Sequence, residues 1–144
     1  MKPLPHHYAI HLSGGPQGYA TCSAERLPDL TCEAPLDFDG PGDAWSPEHL
    51  LMSSVSACFL LTLRSVARLS KFHFESLELA ADGTVDRKEG LTRFTEIVLR
   101  AKLTVAKGTD HAQAVRIMEK AEKACLISAS LSTPVKLQAE VIEA

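Results

Sequence analysis

No pair among the four cysteines, Cys22, Cys32, Cys58 and Cys125, is spaced as CxxC. Neither a zinc ribbon nor a thioredoxin motif is therefore expected. The chain also lacks a basic block, and its formal net charge is -3. That balance argues against a nucleic-acid or other polyanion partner. The opening MKPLPHHYAI has no apolar core of the kind a signal peptide needs. Arg64 and Arg68 interrupt the most apolar stretch, so neither a transmembrane span nor a membrane partner is expected. His6 and His7 have no companions at metal-ligand spacing. No metal site and no cofactor are expected. Internal repeats, low-complexity segments and linkers are missing too. Cytoplasm is the expected compartment, where thiols stay reduced unless they are catalytic, sensory or metal-bound.

What remains is enough for one domain, residues 1–144, with 45% hydrophobic and 23% charged residues. A chain of this size often gains further burial from a partner. In YAIHL, residues 8–12, the residues Tyr8, Ile10 and Leu12 fall on one side, as in a half-buried strand. GGPQG is a turn by composition. YATCSA and LTCEAPLDF read as two short strands. A long helix is expected from about 47 to about 70. Ser46 caps it, Pro47 suits its first position, and Glu48 puts a negative charge in its first turn. Three strands with period-two alternation follow. The first carries Leu77, Leu79, Ala81 and Val85 on one side, the second Ile97, Leu99, Ala101, Leu103 and Val105, the third Val135, Leu137, Ala139 and Val141. A second helix lies before the last strand, with Ala114, Met118, Ala121 and Cys125 along its inner face. The order is α+β, with mostly antiparallel pairing, a long central helix and a second helix.

The long helix poses a packing question. Ser53, Ser54, Ser56, Ala57 and Cys58 are all small, and small residues let another helix approach closely. Leu50, Leu51, Phe59, Leu60, Leu61, Leu63 and Val66 make the helix apolar on most faces, so burial by a second subunit is expected. Glu48 and Cys58 are ten residues apart, roughly 15 Å along the axis, and cannot touch within one straight helix. Two copies crossing antiparallel near Ser53 would bring Glu48 of one toward Cys58 of the other.

Cys58 and Cys125 both fall on inner faces, from different elements. Two readings fit them. Each is an inert buried thiol, because free cysteine is among the most buried residue types. Alternatively they are a redox pair, in which a thiolate cleaves a peroxide and the sulfenic acid condenses with the second thiol. An apolar setting raises a thiol pKa, so the second reading calls for a nearby cation.

SPEHLLMSSVSACFLLTL, followed by KACLISASL, resembles the family of osmotically inducible protein C and the organic hydroperoxide resistance proteins. The shared features are a Pro-Glu-x-Leu helix start, an Ala-Cys-Phe ten residues on, and a cysteine near the end of the second helix. The resemblance implies an intertwined α+β homodimer with active sites at the subunit interface. It implies thiol-dependent reduction of organic hydroperoxides, with Cys58 peroxidatic and Cys125 resolving. Glu48 matches the glutamate that orients an arginine beside the thiolate. The implied reductants are dithiols, including lipoylated proteins. This chain departs from the pattern. Pro16 and Asp37 stand where the two better-known branches carry that arginine, and CLIS stands where they have Cys-Pro. Arg26, Arg64, Arg93 and Arg100 are the substitutes on hand, and a divergent branch is expected.

Other residues have plainer readings. Glu48 stabilises a helix start whatever else it does. Cys22 and Cys32 read as ordinary small side chains in strands, His49 as solvated, and Trp45 and Phe59 as core or pocket wall. The alternative to a peroxidase is a non-enzymatic dimer that binds a small apolar ligand in its interfacial pocket, with the cysteines as lining.

Overall fold

The computed structural model describes residues 1–144. The chain separates into two compact units, Met1–Leu51 and Met52–Ala144, whose boundary falls inside the long helix.

In the first unit three short strands, β1 (His11–Ser13), β2 (Ala20–Ser23) and β3 (Leu30–Cys32), form an antiparallel sheet in that order. A one-turn 3-10 helix, Leu36–Phe38, follows. The strand expected over 8–12 is displaced and shorter. Tyr8 is 90% exposed and Ile10 is also open, because no partner strand reaches residues 8–10; Leu12 is open too, although it pairs with Cys22. Trp45 is half exposed and bridges to Cys32 through the backbone, so it is not core as expected.

Helix α1, Pro47–Leu69, starts as its cap predicts. The His49 N–H donates to Ser46 Oγ at 3.1 Å, which satisfies a first-turn donor. Ser46 is fully buried. His49 is exposed, but its Nδ1 lies 2.7 Å from Ser46 Oγ rather than being wholly given to solvent. By length and composition α1 is long enough and apolar enough to cross a membrane, contrary to the expectation from Arg64 and Arg68. Its inner row, Val55, Phe59, Leu63 and Ala67, instead sits in the core of the second unit. The outer residues are not covered within the chain, and Leu61 is 57% exposed.

The second unit is built on β4 (Ser76–Lys88), β5 (Leu91–Val105) and β6 (Val135–Glu143), with β5 central. Strands β4 and β5 form a hairpin in which Lys88 pairs with Leu91. Only Glu89 and Gly90 remain for the turn, and both have positive φ, 52° and 79°. That is the backbone a two-residue hairpin turn with the right twist requires. The hairpin loop is thus much tighter than the DRKEGLTR expected from composition. A bulge between Thr84 and Val85 shifts the register, and Val85 is exposed, unlike Leu77, Leu79 and Ala81 before it.

Three of the strand ladders are antiparallel; the fourth, β5 with β6, is parallel. A parallel neighbour needs a crossover, and helices α2 (His111–Ala124) and α3 (Leu126–Ala129) supply it. Asp110 caps α2, its carboxylate accepting from the Ala112 and Gln113 amides. The core is the row Ile97, Leu99, Ala101, Leu103 and Val105 of β5, packed with the α1 row and with Ala114, Ile117, Met118 and Ala121 of α2.

Candidate active site

The second unit brings Cys58 and Cys125 together. Cys58 lies one residue before the core anchor Phe59 and is half-buried. Cys125 ends α2 and precedes α3, with an extended backbone at φ -66° and ψ 114°, and is 1% exposed. That single extended residue breaks the helix. It leaves the Leu126 and Ile127 amides at the start of a new turn, where N–H groups have no helical acceptor.

Those amides are used. Burial by itself raises the Cys58 thiol, yet its pKa is held below the ordinary value. The Cys125 thiol, the Ile127 amide, the Thr62 hydroxyl and the Leu126 amide all donate to it, and together they outweigh burial. Thr62 Oγ1 is 3.9 Å from the Cys58 sulfur, one helical turn on. The Cys125 thiol shifts upward, first through burial and then through its hydrogen bond to Cys58. The Ser128 hydroxyl, buried without a partner of good geometry, and the Ser128 amide pull more weakly the other way. The opposed shifts make Cys58 the more readily ionised of the two thiols. Each of the two thiols is thus among the influences that shift the other.

No cation contributes to this arrangement, and the four arginines named as substitutes are engaged or exposed elsewhere. Arg26 pairs with Glu25, Arg100 with Asp82, and Arg93 donates to Ser132 and to the Phe94 carbonyl. Arg64 lies beside Lys71 and His73 at the far end of α1. The influences that lower the Cys58 thiol are all neutral donors of this chain. A proline at 126 would have no N–H to give, so the departure from Cys-Pro to CLIS supplies one of them. The sequence contained that signal, but α3 was not expected and its amides could not be counted.

Glu48 stands in the first turn of α1 as expected, and its Oε2 is buried without a partner. None of the ion pairs includes it. In the first unit it helps line an apolar cavity of about 710 Å³ with Ile10, Leu12, Phe38 and Leu50. Cys22 and Cys32 open onto the same cavity, their sulfurs 3.2 Å apart. Sequence reasoning placed both in strands but not face to face, because the register of β2 on β3 is not written in either segment. No group of His, Cys, Asp and Glu side chains is arranged to hold a metal ion.

Known proteins share the fold of this chain. Residues 40–140 match the family profile described as OsmC-like protein. An organic hydroperoxide resistance protein of Xanthomonas axonopodis pv. citri is 28% identical over 124 residues, 82% of each chain. The uncharacterized protein YmaD of Bacillus subtilis is 29% identical over 109 residues, 74% of this chain and 73% of that one. Among solved structures, an OsmC-like protein of unknown function from Vibrio cholerae superposes with a TM-score of 0.84 at 17% identity, covering 94% of this chain and 99% of that one. An organic hydroperoxide resistance protein from Legionella pneumophila does so with a TM-score of 0.76 at 22% identity, covering 96% and 98%. At these identities the structural likeness speaks for the fold alone.

Proposed function

This chain belongs to the OsmC-like protein family, and we propose that it reduces organic hydroperoxides through Cys58 and Cys125. The observation that carries the proposal is the mutual influence of two thiols 67 residues apart in sequence, Cys58 lowered and Cys125 raised. The Cys58 thiolate attacks one peroxide oxygen, the O–O bond breaks, and the alcohol leaves with a proton. Cys58 becomes a sulfenic acid. Cys125 then attacks that sulfur, a disulfide forms and water leaves. A dithiol, free or carried as a lipoyl group on a protein, returns both cysteines to thiols.

Glu48 and the second subunit belong to the same reading. The unpartnered Oε2 of Glu48 and the uncovered outer face of α1 support a homodimer in which α1 of one copy crosses α1 of the other. Glu48 would then act on the partner's site, where it positions donors around the thiolate. The second reading, a dimer that binds a small apolar molecule, is favoured by the apolar cavity of the first unit.

One experiment separates them. Reduced protein receives one equivalent of cumene hydroperoxide, and free thiols and Cys58–Cys125 linked peptide are measured. The peroxidase reading expects the linked peptide in the wild type and its loss in Cys58→Ser and Cys125→Ser. Peroxide left unconsumed, with both thiols still free, favours the binder.

A further inference from the structure

We propose that Cys22 and Cys32 form a second redox-active thiol pair, which organic hydroperoxides close to a disulfide independently of Cys58 and Cys125.

The pair is set by sheet register. Cys22 pairs with Leu30 and Cys32 with Ala20, so the two cysteines are diagonal neighbours on one face of β2 and β3. Their sulfurs lie 3.2 Å apart. Reaching disulfide length, roughly 2.0 Å, takes a shift of about 1 Å. Side-chain torsions on short strands can absorb that. An inert core thiol is normally enclosed by packed side chains. These two instead face a cavity of about 710 Å³ whose walls include Ile10, Leu12 and Phe38.

The two sulfurs are not equivalent. Cys22 is half-buried and Cys32 only 7% exposed. The hydrogen bond with Cys22 is the largest influence raising the Cys32 thiol, followed by burial, and Cys22 is the more accessible of the two. Cys22 is therefore the attacking sulfur. It displaces an alcohol from the hydroperoxide, taking one oxygen as sulfenic acid, while its proton leaves with the alcohol. Cys32 then attacks the Cys22 sulfur and expels water. Two thiols and one hydroperoxide give one disulfide, one alcohol and one water. Apolar walls suit a hydroperoxide on a hydrocarbon body better than hydrogen peroxide.

The test uses the full chain as Cys58→Ser/Cys125→Ser, which leaves only the second pair. After cumene hydroperoxide the expected product is two hydrogens lighter and yields a peptide that joins Cys22 to Cys32, reversed by dithiothreitol. In a variant that also carries Cys32→Ser, dimedone should trap a sulfenic acid at Cys22. Full alkylation of both thiols after peroxide, or sulfinic acid at Cys22 with Cys32 still free, overturns the proposal. Should the double variant not fold, wild-type protein is mapped instead, where the Cys22–Cys32 peptide must appear beside any Cys58–Cys125 peptide. The Cys22→Ser/Cys32→Ser variant reads the other pair alone, so failure of either assignment is seen separately.

Discussion

Phe59→Ala is the most direct probe of the seat that holds Cys58. Phe59 is fully buried in the core that also holds the β5 row and the inner residues of α2, and no fully buried side chain is larger. Truncating a buried phenylalanine costs about 3–5 kcal/mol, transfer and cavity together. Total stability for a chain of this size is of order 5–15 kcal/mol. The variant should therefore fold, but with much of its margin gone. At about 2–4 °C per kcal/mol, the thermal midpoint should fall by about 6–20 °C. Phe59→Leu keeps most of the volume and should cost far less than Phe59→Ala. Urea unfolding followed by circular dichroism gives the free energies. The neighbouring site supplies a second readout. Cys125 is enclosed in the wild type, so a loosened seat should speed its alkylation in the folded variant. A loss below about 1 kcal/mol for Phe59→Ala would refute the assignment of this helix face to the core.

Three further outcomes are expected. Cys58 alkylation should follow a profile centred below that of free cysteine, about 8.5, because the folded site favours the thiolate. The rate should fall as pH drops through the folded pKa, at a lower pH than for a free thiol. Thr62→Val should move the profile toward higher pH, since it deletes one donor, and an unmoved profile would remove Thr62 from the site. Gly83→Ala places a methyl 2.5 Å from a Phe94 ring carbon and 2.7 Å from Met52 Sδ, so it should cost about 1–3 kcal/mol in the same unfolding assay. If the proposed dimer buries the outer face of α1, Leu61→Asp should convert a dimer seen by light scattering into a monomer while the wild-type mass stays at twice the chain. A wild-type monomer would end that part of the proposal.

The elements with a strong period were readable from the chain. Ser46, Pro47 and Glu48 mark the start of α1 to the residue, and the alternation along β4, β5 and β6 gives each strand its inner side. Cys125 is buried as expected, although it stands just past the helix, whereas Cys58 sits at the edge of the inner row and is only half-buried. What alternation cannot supply is the neighbour across a ladder. A strand that alternates looks the same beside a parallel or an antiparallel partner, so the parallel pairing of β6 with β5 was hidden. The same gap concealed the meeting of Cys22 and Cys32, which depends on register alone. Residues 8–10 failed for the opposite reason: they alternate well but have nothing to pair with. Around Cys58, the search for a charged side chain overlooked backbone amides, which carry no residue identity.

The donors at Leu126 and Ile127 have a consequence for how this thiolate can be dismantled. Main-chain N–H groups survive nearly every substitution, so scanning these two positions with alanine would leave both amides in place and report nothing. Only proline withdraws the proton itself. The part of the shift that these two amides supply is tied to the path of the chain, whereas the parts from Cys125 and Thr62 can be lost by ordinary substitution.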